Sequence, residues 1–288
     1  MYGVSPAFML SAIGEDFNPD DFCLCLDRIA ALGFEAYQPE VFHRERLSEW
    51  LAGGARRVAA RGRELNLQAS QFVAHFLTPC LASAASLRSE EGVEELKRTI
   101  EIAACFENCR VITLPIGPWQ AGPGDAQAYP ELAGRFRDKL AKLLQIAAAA
   151  DFSLALEILP HSFPGGSEGY LRLHQELGSP RLGLNFDTGH LWACKEALPL
   201  VPAKLSGLIF GTHLCDNDGG ENLSLAPGQG TIDWPAVLAA LKSSGYTGSL
   251  DLEIRAPSEE VESVYAAGLR RLKQLESFRR KYGAQGSA

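Results

Sequence analysis

The chain has 288 residues, 46% of them hydrophobic, and a formal net charge of −8 at pH 7. That composition is enough to bury a large core, and the acidic balance argues against a broad nucleic-acid footprint. The seven cysteines are odd in number and fit no zinc-ribbon spacing, so most read as small buried apolar residues of a reducing compartment.

In chain order, Met1-Tyr2-Gly3-Val4 lacks a basic leader region, and no later apolar run is long enough to span a bilayer. A cytoplasmic protein with no membrane contact is expected. Val4–Leu10 reads as a first strand. Asn18 then caps a helix with Pro19 at its first position and acids in its first turn, and Gly33 ends it. Phe34–Gln38 is a second strand and Arg44–Leu65 a long, mostly polar helical region. Leu67–Val73 is a third strand, followed by a helix from about Ser89. Arg110–Leu114 is a fourth strand, and Tyr129–Ala150 is helical. Ser153–Leu159, Arg181–Phe186, Leu208–Leu214 and Ser249–Ile254 complete the strands. Helices are expected at Ser167–Leu177, at Asp233–Ser244, and from Ser258 to a basic end at Arg279, Arg280 and Lys281. About eight strand–helix units is the number that closes an α/β (β/α)8 TIM barrel. No linker or charge block divides the chain, so 1–288 is expected to be a single domain, with Gly283–Ala288 as a frayed tail.

Chemistry-bearing residues gather where strands end. Glu157 lies late in the fifth strand, Asp187 and His190 close the sixth, His213 ends the seventh, and Glu253 lies late in the eighth. In a barrel such positions converge on one mouth. One buried glutamate has a bland reading as an ion-pair partner. Three acids and an imidazole at four successive strand ends do not, because mutually repelling buried acids need a cation among them. That donor set suits one divalent ion, with Mn²⁺, Mg²⁺, Co²⁺ and Zn²⁺ all compatible.

The runs Ala155-Leu156-Glu157, Asn185-Phe186-Asp187-Thr188-Gly189-His190, Thr212-His213-Leu214-Cys215-Asp216 and Pro227-Gly228-Gln229-Gly230-Thr231-Ile232-Asp233-Trp234, followed by Leu252-Glu253, resemble the xylose isomerase-like barrel superfamily. Within it they are most similar to the sugar phosphate isomerase/epimerase group, with its ketose 3-epimerases, hydroxypyruvate isomerases and inosose dehydratases. The resemblance implies Glu157, Asp187, His213 and Glu253 as metal ligands, Glu157 and Glu253 as an acid/base pair, and His190 on a substrate oxygen. It implies a small sugar, sugar phosphate or keto-acid substrate. It also implies a structural role for the Pro-Gly-x-Gly segment in positioning the last helix, with Trp234 buried beside it. Asp216 reads as a group that orients His213.

The chemistry is consistent with those roles. Moving a proton beside a carbonyl needs a base, an acid and a positive centre for the enediolate formed between. Epimerisation, aldose–ketose isomerisation and dehydration share that first half. His75, Trp119 and Arg255 are further substrate-contact candidates. Each has a structural alternative: a surface histidine, a lid-packing tryptophan, and an arginine paired with Glu259 or Glu260. Glu40 has a reading as a contact to substrate hydroxyls, although a solvated loop acid is the simpler one. Ketose 3-epimerases usually carry an arginine soon after the seventh-strand histidine, and here that stretch is Asp216-Asn217-Asp218-Gly219-Gly220. A DNA-repair endonuclease of the same superfamily would need another histidine after the fourth strand, where Thr113-Leu114-Pro115 stands. A non-catalytic sugar-binding barrel would not need the four-residue constellation. Barrels of this group often pair as homo-oligomers through their helices, although no exposed stripe in the sequence identifies such a contact.

Overall fold

Every strand pairs in parallel with its neighbours. In the computed structural model, which describes the backbone through residue 282 and side chains through residue 276, the strands are β1 (Tyr2–Val4), β2 (Ala36–Tyr37), β3 (Gln68–Ala69), β4 (Phe72–Val73), β5 (Val111–Ile116), β6 (Ser153–Ile158), β7 (Leu182–Asp187), β8 (Ile209–His213) and β9 (Leu250–Leu252). Hydrogen bonding runs β3-β2-β1-β9 and β4-β5-β6-β7-β8. The segments β3 and β4 are halves of one stave, and Glu40 bridges to Val73 across the break. At the other seam Leu214 N–H donates to the Asp251 carbonyl, and Glu253 N–H donates to the Leu214 carbonyl. Eight staves close a barrel with helices outside, a (β/α)8 arrangement. The expected tail at Gly283–Ala288 and the side chains of Arg279, Arg280 and Lys281 lie outside the described residues.

The first apolar run does not form one strand. Only Tyr2–Val4 is extended, and Ala7–Ala12 is helical. Pro6 sits at the helical φ of −57° that its ring imposes, and Ser5 Oγ accepts from Ala7 N–H, so the chain turns into a helix directly after the strand. The polar region after β2 is likewise broken. Gly53 adopts φ of 125° inside a wide turn at Trp50–Gly54, and the regular helix starts only at Ala55. The helix expected from about Ser89 begins at Val93, after Gly92 at φ of 88°.

Alternation along the strands decides what faces inward, because residues two apart share a face. Glu40, Glu157, Asp187, His213 and Glu253 form the upper inward layer. Gln38, Asn185 and Asp251 stand two positions earlier, beside buried Gln71 and Thr113. Barrel interiors are ordinarily packed with branched apolar side chains; this one has a polar layer beneath its mouth. Glycines make room for it. A Cβ on Gly211 would lie 1.8 Å from Gln71 Oε1, and one on Gly3 would lie 1.9 Å from Asp251 Oδ1. Among the described residues, no helix is long and apolar enough to cross a membrane.

Candidate functional site

Register brings the four strand-end residues together. Asp187 and His213 are direct partners across β7 and β8, Glu157 is the penultimate residue of β6, and Glu253 follows β9. One ligand atom from each of Glu157, Asp187, His213 and Glu253 falls within 4.8 Å of all the others. His213 Nδ1 lies 2.5 Å from Glu157 Oε1, 3.1 Å from Glu253 Oε1 and 3.8 Å from Asp187 Oδ2. Ser5 Oγ donates to Glu253 Oε1 at 3.3 Å, and Asn185 Nδ2 to Glu157 Oε1 at 3.0 Å.

The electrostatics are those of a site built for added positive charge. Glu157, Asp187 and His213 are 5%, 1% and 1% exposed, so each ion has lost nearly all its water. Burial opposes ionisation of Glu157, but the charge and hydrogen bond of His213 overcome it and hold that carboxyl below its usual range. Burial, with the negative charge of Glu157, raises Asp187 against the pull of His190. Burial also drives Glu253 well up, reinforced by Asp187 and Glu157 and resisted by His213. Burial would depress His213, yet Glu253 and Glu157 lift it well above the usual imidazole range. One imidazole therefore serves as counter-charge to three crowded acids. Asp187 Oδ1 accepts from His190 N–H at 2.7 Å and caps the helix Thr188–Ala193, while its Oδ2 is buried with no hydrogen-bond partner. An orphaned carboxylate oxygen facing two glutamates and an imidazole fits a divalent cation.

With Asp187 beside them, Glu157, His213 and Glu253 line a cleft of about 280 Å³. Its walls include Glu40, His75, His190, Asn222, Ser224 and Arg255, with Pro6, Ala7 and Leu10 on an apolar side.

The family model described as xylose isomerase-like TIM barrel matches residues 26–275. The chain belongs to the xylose isomerase-like TIM barrel family. The L-ribulose-5-phosphate 3-epimerase UlaE of Salmonella paratyphi C is 29% identical over 134 residues, which is 46% of this chain and 47% of that protein. The match therefore spans about half the length of the curated relative. A solved L-ribulose 3-epimerase superposes with a TM-score of 0.76 at 20% identity, covering 99% of this chain and 98% of that one. The IOLI protein, solved with a bound zinc atom, gives 0.71 at 18% identity over 96% of each chain. At these identities the solved structures establish the fold.

Other expected residues of this xylose isomerase-like barrel are placed as follows. His190 faces the cleft, with Nε2 3.8 Å from Asp187 Oδ2 and Asn222 Nδ2 3.4 Å from its ring. His75 lines the cleft and stacks on Phe42 with centroids 4.9 Å apart. Arg255 also lines it, and among the described residues no ion pair joins it to Glu259 or Glu260; its backbone N–H donates to the Ser224 carbonyl at 2.9 Å. Trp119 is not among the residues lining the cleft. Its indole donates to Asp125 Oδ2 at 3.1 Å, and its ring packs on Phe163 at 4.8 Å.

Asp216 does not orient His213. Its carboxylate accepts from Gly228 N–H at 2.7 Å, Ile232 N–H at 3.2 Å and Trp234 Nε1 at 2.8 Å. It thereby pins the Pro-Gly-x-Gly loop, which leads into the helix Trp234–Ser243 rather than directly into the last one. Backbone donors turned inward by Gly228 and Gly230 outcompete a ring that already has partners on both nitrogens. Glu40 is not a solvated loop acid. It is 1% exposed, its Oε2 lacks a partner, and burial, with some help from Glu157, raises its carboxyl to about 8. Gln38, Asn185 and Asp251 are the residues that sequence reasoning missed, and for Glu40 the simpler of its two readings was the wrong one. The available signal was their spacing: each falls on the inward face of a stave, and Asn185 and Asp251 stand two positions before Asp187 and Glu253.

Proposed function

We propose that this protein is a divalent metal-dependent sugar epimerase or isomerase acting on a ketose or ketose phosphate. The observation that carries the reading is the convergence of Glu157, Asp187, His213 and Glu253, three of which line a cleft of sugar size. The 3-epimerase relatives support epimerisation beside the carbonyl over the other outcomes that share an enediolate. Glu157, Asp187, His213 and Glu253 would hold the ion, which would supply Lewis-acid stabilisation of negative charge on adjacent substrate oxygens.

The remaining steps belong to side chains. Glu157 and Glu253 come from staves separated by β7 and β8, with His213 between them. One removes the proton from the carbon beside the carbonyl, and the other returns a proton. Return on the opposite face inverts the centre. His190, half-enclosed at the rim, donates to a substrate oxygen. Glu40, kept neutral near pH 7 by its burial, donates to a hydroxyl from the far wall. Arg255, exposed and without an ion pair among the described residues, holds an anionic substituent at the mouth. Residues 1–288 act as one domain in this reading.

The test is solvent exchange. Protein loaded with Mn²⁺ or Co²⁺ is incubated in D₂O with ketopentoses, ketohexoses and their phosphates, and loss of the proton signal beside the carbonyl is followed by NMR. Deuterium uptake into at least one ketose is expected, with loss on chelation and in Glu157→Gln and Glu253→Gln. No uptake by metal-loaded protein across the panel would refute the assignment.

A further inference from the structure

The two ring nitrogens of His213 meet opposite surroundings. Nδ1 faces the three carboxylates, whereas Nε2 lies 2.7 Å from Gln38 Oε1. Gln38 Nε2 in turn lies 2.9 Å from Asp251 Oδ2 and 3.4 Å from the Thr212 carbonyl, both acceptors. Turning the amide over would set its oxygen against two oxygens, so its orientation is fixed. Asp251 Oδ2 is fixed as an acceptor too, taking Ser249 Oγ at 2.5 Å and Ser70 Oγ at 3.2 Å. Gln38, Asp251 and His213 are at most 1% exposed. In such a place each group must take the polarity its neighbour dictates, because an unmatched buried pair of acceptors is costly.

We propose that Gln38 and Asp251 are positioning residues that hold the proton of His213 on Nε2 and so direct the Nδ1 lone pair at a divalent cation among Glu157, Asp187 and Glu253. The inference rests on the metal-site reading above. A metal-binding histidine commonly donates its other N–H to a carboxylate or carbonyl. Here an amide stands between ring and carboxylate. It transmits the acceptor polarity of Asp251 without setting a fourth acid directly against a ring already facing three. The same arrangement recurs below Glu157, where Gln71 Nε2 donates to Asn185 Oδ1 at 2.8 Å and Asn185 Nδ2 donates to Glu157 Oε1 at 3.0 Å.

The test measures Co²⁺ affinity by calorimetry and the His213 ring by NMR on protein carrying ¹⁵N-histidine. Gln38→Met removes the acceptor, and its Co²⁺ affinity is expected to fall on the order of 10–100-fold, with loss of the protected Nε2–H signal. Gln38→Glu keeps the shape but opposes two carboxyl groups, and it too is expected to bind Co²⁺ weakly. Combining Gln38→Glu with Asp251→Asn restores the polarity, since the amide at 251 donates to the carboxylate at 38 and the serine hydroxyls can turn to accept. That double variant is expected to recover affinity and the Nε2–H signal, which a merely space-filling role would not produce. Wild-type affinity and an unchanged signal in Gln38→Met, or no recovery in the double variant, would overturn the proposal. If wild-type protein binds no Co²⁺, the metal reading fails. The metal-free spectrum, in which His213 is protonated on both nitrogens, still tests the Nε2–H to Gln38 hydrogen bond on which the relay depends: a protected Nε2–H lost in Gln38→Met upholds it, and absence of that signal overturns it.

Discussion

Replacing Asp187 by asparagine separates the two jobs of one side chain. Oδ1 caps the helix Thr188–Ala193 through His190 N–H, and asparagine caps as well as aspartate, so the fold should persist. Oδ2 is the buried oxygen without a hydrogen-bond partner, and the substitution puts an NH₂ group or a neutral oxygen where an anionic ligand is needed. A 100-fold loss of Mn²⁺ affinity is a modest expectation for a direct ligand, being the upper end of what disturbing an outer partner costs. At an ion concentration a thousand times the wild-type Kd, binding stabilises the wild type by about 4.1 kcal/mol and the variant by about 1.4 kcal/mol. With an unfolding entropy of about 2.1 cal/mol/K per residue over 288 residues, the Mn²⁺-induced rise in Tm should shrink by about 4 °C. Without metal, the variant should melt no lower than wild type, because one of three repelling acids is gone. Paired calorimetric scans with Mn²⁺ and with chelator provide the assay. Retention of the full Mn²⁺-induced shift would remove Asp187 from the ligand set, and a collapse of the metal-free Tm would make it chiefly a structural cap.

Three further outcomes are expected. Glu40 has a folded-state carboxyl near 8 against an ordinary value near 4.5, so the folded state binds more protons between those limits and stability should fall as pH rises through that window. In metal-free protein Glu40→Gln should remove a contribution of a few kcal/mol to that slope, as read by urea melts at pH 5 and pH 8; identical slopes in both proteins would contradict a buried, neutral Glu40. Asp216→Ala strands three donors around the Pro227–Trp234 loop and should cost about 3 kcal/mol or more in chemical denaturation while leaving Mn²⁺ affinity near wild type. A selective loss of affinity would instead tie Asp216 to His213. Gly211→Ala places a methyl group 1.8 Å from Gln71 Oε1, and overpacking there should cost about 1–3 kcal/mol and weaken Mn²⁺ binding through Asn185 and Glu157; an unperturbed melt would show that Gln71 has room to move.

Much of the architecture was legible because barrel staves and helices carry local signals. Apolar runs marked seven of the eight staves, and Asn18 and Asp233 marked helix starts that the structure bears out with side-chain caps. The first stave was misplaced because Val4–Leu10 is mostly apolar, and such a run does not distinguish a strand from a buried helix. Pro6 was the available clue. The four converging residues were also legible, since strand ends separated by one unit must meet once the sheet closes. Asp216 was misread for the opposite reason: sequence proximity to His213 says nothing about which donors a turn will aim at a carboxylate.

The sequence by itself determined the barrel, the strand-end acids and the histidine, because side-chain alternation and helix capping act over a few residues. Only the tertiary structure decided the second layer. Gln38, Gln71, Asn185 and Asp251 are ordinary polar letters in four separate staves, and their hydrogen bonds exist only when closure of the sheet removes water and sets one stave's side chain against another's. It also decided that Glu40 is dry, because exposure is a property of what the rest of the chain packs around a residue. Polarity, protonation and ligand direction at the site follow from that enclosure.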